Sequence, residues 1–130
     1  MFLNHLNPEQ KKAFLAIAMK IIGADGILEP RERQMVEAMR YEMGLYTDTD
    51  LPKGELEDIM KVFDTRKSRI VTMIEAIGLC LADENLGNEE RKLIRALALM
   101  FEISEDEATK MENWVMRYRA LVQEANSMFD

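Results

Sequence analysis

Displaced by 58 residues, the sequence matches itself: residues 14–45 align with 72–103 without a gap, and seven of those 32 positions are identical. About two identities are expected from average composition. The shared residues are Ala18 with Ala76, Ala24 with Ala82, Asp25 with Asp83, Leu28 with Leu86, Glu32 with Glu90, Arg33 with Arg91 and Ala38 with Ala96. Apolar positions match in type as well, Met35 with Leu93 and Val36 with Ile94 among them. A helical hairpin that cannot bury its apolar face alone must pack against its copy, so a pseudo-symmetric pair is the expected arrangement.

The period inside each unit is helical. Asn7-Pro8-Glu9-Gln10 supplies a capping residue, a first-turn proline and the third-position partner of a capping box, which opens a helix running to about residue 24. Its apolar residues Phe14, Leu15, Ile17, Ala18, Ile21 and Ile22 recur at three- and four-residue steps, so they share one face. Pro30 and Gly44 bracket a second helix that turns Met35, Val36, Met39 and Met43 inward. The polar stretch 45–54 reads as the longest loop and leads into a short helix over about 55–63.

Asp64 is placed to cap a fourth helix over about 65–82, a fifth covers about 88–101, and Ser104 with Glu107 forms a second capping box. The terminal helix that follows carries Ala108, Met111, Val115, Tyr118 and Val122. No segment alternates with a period of two, so strands are not expected. The fold class is therefore all-α, a bundle of about six helices. At 130 residues it reads as one domain, with repeat one over about 8–45, repeat two over about 65–103 and a terminal helix over about 105–126.

Charge and special residues narrow the chemistry. The formal net charge of −7 repels phosphate backbones, so nucleic acid is excluded as a partner. The longest apolar runs fall well short of the roughly 20 residues of a membrane span, so no direct membrane insertion is expected. Residues 1–5 lack the basic flank and apolar core of a signal peptide, which points to a cytoplasmic location. Cys80 is alone and sits in an apolar run, where a thiol acts as a small hydrophobe. His5 is the only histidine, which removes the Glu-x-x-His pairs of di-iron bundles and the histidine-activated nucleophiles, and no catalytic residue is assigned. The methionines at helical spacing, Met35, Met39 and Met43, read as core; Trp114, Tyr118 and Phe129 of the terminal helix read as core packing over the bundle, with a partner-binding face as the alternative. Arg66, Lys67 and Arg69 read as a solvated helix start.

The repeated acids admit two readings. Asp25 to Glu32 matches the second half of an EF-hand loop, but the first ligand positions are Ile21 and Gly23 in one copy and Leu79 and Leu81 in the other, so calcium could not collect its usual six or more oxygens. In the first reading the acids brace the loops: Asp25 and Asp83 accept loop amides, and Glu32 and Glu90 reach back from the next helix start. Leu28 and Leu86 then pin each loop to the core, and Arg33 and Arg91 pair with nearby carboxylates. In the second, Asp25, Glu32, Asp83 and Glu90 converge, and a divalent cation relieves their repulsion. Oxygen ligands alone favour calcium, magnesium or manganese.

The strings Ala24-Asp25-Gly26-Ile27-Leu28 with Glu32, and Ala82-Asp83-Glu84 with Leu86 and Glu90, resemble the tellurite-resistance TerB-like family. The resemblance covers residues 6 to about 117 and includes Asp64-Thr65-Arg66 and Phe101-Glu102-Ile103-Ser104. It implies an all-helical fold of two similar halves, a candidate metal site at Asp25, Glu32, Asp83 and Glu90, and a place in stress-response systems. A related domain in a membrane-anchored DnaJ-like co-chaperone looks like an interaction module. Glu84 departs from the family, which often has glycine there, and would add a ligand or reshape the second loop. The expected function is thus a non-enzymatic stress-response accessory protein, resembling TerB, that acts by contact with a protein partner and can bind a divalent cation. The alternative is a metal-free helical interaction module. Neither reading sets the oligomeric state.

Overall fold

The computed structural model describes residues 1–23, 29–46, 50–82 and 88–129. Its elements are a 3-10 turn at Leu3–His5 and six α-helices: α1 (Pro8–Ile22), α2 (Pro30–Met43), α3 (Leu56–Met60), α4 (Arg66–Ala82), α5 (Asn88–Met100) and α6 (Glu105–Met128). No strand occurs among the described residues. The all-helical class read from the periodicity is what the chain adopts.

The helix starts show why these segments fold as they do. At α1, the Asn7 side chain accepts the Gln10 amide at 2.8 Å, and the Gln10 side chain accepts the Asn7 amide at 3.0 Å. At α4 the cap is Thr65, one residue later than the expected Asp64. Its hydroxyl accepts the Ser68 amide at 3.1 Å while the Ser68 hydroxyl accepts the Thr65 amide at 3.3 Å. At α6, Ser104 accepts the Glu107 amide at 3.1 Å, which is the first half of the expected box. The Glu107 carboxylate accepts the Ser104 hydroxyl at 3.5 Å through one oxygen and pairs with Arg66 through the other, and the Arg66 hydrogen bond and charge hold it below the usual glutamate range. Arg66 and Lys67 are exposed, as the sequence suggested, whereas Arg69 is half-buried and donates to the Phe63 carbonyl at 2.9 Å.

Two helices end alike. After α2, the Leu45 amide donates to the Arg40 carbonyl and the Gly44 amide to Tyr41, a Schellman motif with Gly44 at φ 70°. After α5, Ile103 donates to Ala98 and Glu102 to Leu99, and here Glu102 itself sits at φ 57°. A side chain in the left-handed region costs about 1–2 kcal/mol, and glycine avoids it. Glu102→Gly is therefore expected to stabilise the protein by about 0.5–1 kcal/mol, and Gly44→Ala to destabilise it by about 1 kcal/mol, measured by urea unfolding. The space around Gly44 is open, so the backbone alone would set that cost.

The core gathers Phe14, Leu15, Ile17 and Ile21 from α1, Val36, Met39 and Met43 from α2, Met73, Ala76 and Ile77 from α4, and Leu97 from α5. Phe63 and Phe101 meet edge to face in it, with ring centres 5.7 Å apart. The six α1 residues predicted to share one face are all buried, and on α2 only Met35 is half-buried where full burial was expected. Thr72 is fully buried, and among the described residues its hydroxyl has no hydrogen-bond partner. Burying an unsatisfied hydroxyl costs about 1–3 kcal/mol, so Thr72→Val, nearly isosteric, is expected to stabilise by about 1 kcal/mol in the same assay.

The Met1 ammonium lies 3.0 Å from Glu75 and 3.2 Å from Glu42, and Glu75 also accepts the Phe2 amide. Burial opposes the ammonium's charge, but the two carboxylates outweigh it and raise the pKa above the ordinary 8.0. A raised folded pKa contributes stability that is complete below the unfolded value and lost as pH climbs through the folded one. Stability is thus expected to fall above pH 8, and Glu75→Gln to flatten that slope, read from thermal midpoints across pH.

The terminal helix corrects one expectation. Only Val115 of α6 is buried, with Trp114 half-buried against Phe2 and stacked on Tyr118. Phe129 is 81% exposed and Tyr118 38%, so neither is a core residue. The helix continues past the body it packs on, and its periodicity outlasts its burial.

Candidate functional site

Of the four candidate metal-ligating acids, Asp25 and Asp83 fall outside the described residues, as do Leu28 and Leu86. Glu32 and Glu90 lie in the first turns of α2 and α5. Pro30 fixes the first position of α2, and the helix start then points Glu32 back along the chain, where its carboxylate accepts the Glu29 amide at 2.9 Å. Glu32 is 9% exposed. This is the geometry of the bracing reading: one carboxylate oxygen satisfies an otherwise free helix-start amide. Glu90 is half-buried. Arg33 and Arg91 make no ion pair among the described residues.

The flanks of the two acidic loops are tied to each other. Arg31, one residue before Glu32, donates to the carbonyl of Ala82, the residue before Asp83, at 2.8 Å. A cation in a helix's first turn is disfavoured by its own dipole, and Arg31 resolves this by reaching the carbonyl end of α4, where positive charge is worth about 0.3–1 kcal/mol. Arg119 of α6 donates to the neighbouring carbonyl of Leu81. Two guanidinium groups from different helices thus satisfy the last carbonyls of α4 where the second acidic loop begins.

Neither arginine was singled out by the sequence. For Arg119 a signal existed, since a charged residue stands between Val115 and Val122 on the apolar stripe of α6. For Arg31 the signal was a cation in a helix's first turn, but its target is a tertiary neighbour that no local pattern specifies.

Among the described residues no three His, Cys, Asp or Glu side chains stand together in a group that could hold a metal ion. No family model matches the chain, and no curated protein or solved structure matches it either.

Proposed function

We propose that this chain is a non-enzymatic accessory protein, similar to TerB-like domains, that works through contact with a protein partner in a stress response. One observation carries the reading. Residues 120–129 of α6 and its cap are all exposed, and Leu121, Val122, Ala125, Met128 and Phe129 among them continue, at three- and four-residue steps, the face that holds Trp114, Val115 and Tyr118. A contiguous apolar stripe left in water marks an interaction surface.

The variant Leu121→Ser/Val122→Ser/Phe129→Ser tests it. Because these side chains touch little of their own protein, its stability is expected to change by no more than about 0.5 kcal/mol. Affinity capture from the source cells is expected to lose the dominant co-purifying protein. Capture unchanged from the wild type would remove this reading.

The two halves are read as copies of one hairpin. Support comes from the register of the caps: α4 and α5 begin 58 residues after α1 and α2, the box at Thr65 and Ser68 answers that at Asn7 and Gln10, and Glu102 answers Gly44.

A second reading, a divalent cation held by Asp25, Glu32, Asp83 and Glu90, is favoured by the Arg31 to Ala82 bond, which draws the flanks of both loops together. Calorimetric titration of metal-free protein with calcium, magnesium and manganese tests it, beside Asp25→Asn/Asp83→Asn. Saturable binding lost in a still-helical variant supports the cation. No binding in either protein, with the variant less stable, leaves the acids as braces and the protein as a metal-free interaction module.

A further inference from the structure

We propose that a groove between α5 and α6 receives an amphipathic helix of a partner protein, one with acidic side chains along one flank of its apolar stripe and basic side chains along the other. The proposal rests on the protein-contact reading above and adds to it a second surface and the partner's chemistry.

The groove has a volume of about 500 Å³. Its floor is Ile77, Cys80 and Leu81 of α4, and its walls include Ile94 and Ala98 of α5 and Ala108 of α6. Ile94 and Ala98 are only half-buried by their own chain, and Leu99 beside them is 79% exposed. The α5 wall from Arg91 to Leu99 runs for roughly 12 Å, about two turns of a helix laid along it. A helix seats in such a groove by apolar residues at i, i+3, i+4 and i+7.

The lips specify what should flank that stripe. The α5 lip carries Arg91 and Arg95, one turn apart, and the α6 lip carries Glu105 and Glu112, two turns apart. All four are exposed. Among the described residues none of them makes an ion pair or a side-chain hydrogen bond, so lips of opposite charge face one groove without pairing across it. An incoming helix with acids toward α5 and bases toward α6 satisfies both lips. A helix charged alike on both flanks must set like charge against one lip, which is how charged rims reject wrong partners.

Reversing the direction of the bound helix exchanges its flanks, so the informative probes differ in flank sign. Three stapled helical peptides would share one leucine stripe. One carries glutamates on one flank and lysines on the other, the second glutamates on both, the third lysines on both. Fluorescence anisotropy with the full chain is expected to show the mixed peptide binding roughly tenfold tighter than either other. In Arg91→Glu/Arg95→Glu, with helix content checked by circular dichroism, the mixed peptide is expected to weaken roughly tenfold and the lysine-only peptide to become the tightest. Equal affinity for the three peptides, no binding of the mixed peptide, or a ranking unmoved by the charge reversal would overturn the proposal. Binding that ignores the charge reversal but is lost in Leu121→Ser/Val122→Ser would also overturn it, while leaving the α6 contact surface standing.

Discussion

Phe63→Ala is expected to destabilise the protein by about 3–5 kcal/mol, the largest effect of any single substitution considered. Phe63 is 1% exposed and follows α3 at the junction between the first three helices and α4. Its ring meets the edge of Phe101, which lies in the turn from α5 to α6, so one contact ties the middle of the chain to its last third. Truncation removes the buried ring, leaves a cavity and strips Phe101 of its partner. Against a total stability of about 5–15 kcal/mol this is a large share, and the thermal midpoint is expected to fall by roughly 10–20 °C. A double-mutant cycle with Phe101→Ala is expected to return a coupling of about 0.5–1.5 kcal/mol for the ring pair. A loss below about 1 kcal/mol for Phe63→Ala would mean that the junction is not packed as described.

Gln10→Ala is expected to cost about 2–3 kcal/mol, more than loss of a surface cap. Gln10 is 5% exposed and does three things: it accepts the Asn7 amide, donates to the Val62 carbonyl at 3.1 Å and approaches Asp64 at 3.4 Å. Alanine would leave the Asn7 amide without its partner and remove one of the two donors to the Val62 carbonyl, which keeps the Asp64 amide at 3.1 Å; an unsatisfied helix-start amide costs more than a hydrogen bond is worth. Ser68→Ala in the second box is expected to cost only about 1 kcal/mol, because Ser68 bonds only within its own turn. Urea unfolding of the two variants side by side would check the difference. Equal losses would show that the link from Gln10 to Val62 contributes nothing.

The local signals that carried the sequence reading are those whose geometry is complete within four residues. Asn7 with Gln10, Pro30 with Glu32, and Gly44 each perform the role their chemistry suggested. The capping residue of α4 was displaced from Asp64 to Thr65 because Thr65 and Ser68 can satisfy each other's amides, which Asp64 and its third neighbour Lys67 cannot. Glu102 gave no local signal of a left-handed cap, since glutamate has no preference for one; only its correspondence with Gly44 across the repeat pointed there.

Longer-range features were legible only in part. Periodicity placed Val115, Tyr118 and Val122 on one stripe of α6, but not where the rest of the bundle stops covering that face. For the acids, Glu32 was readable as a brace because its acceptor task lies three residues away. The bond from Arg31 to Ala82 joins positions 51 apart and depends on how α2 crosses the end of α4. The opposed charges of the α5–α6 groove are equally tertiary, for Arg91 and Glu105 share no local pattern.

The proposed function depends most on the exposed apolar face of α6 as a contact surface. A photo-crosslinking side chain placed at Leu121, and as a control at Glu37 on the exposed side of α2, tests that face in the cells that make the protein. One dominant crosslinked protein from position 121 and none from position 37 is the predicted result. The same products from both positions, or none from position 121, would contradict it.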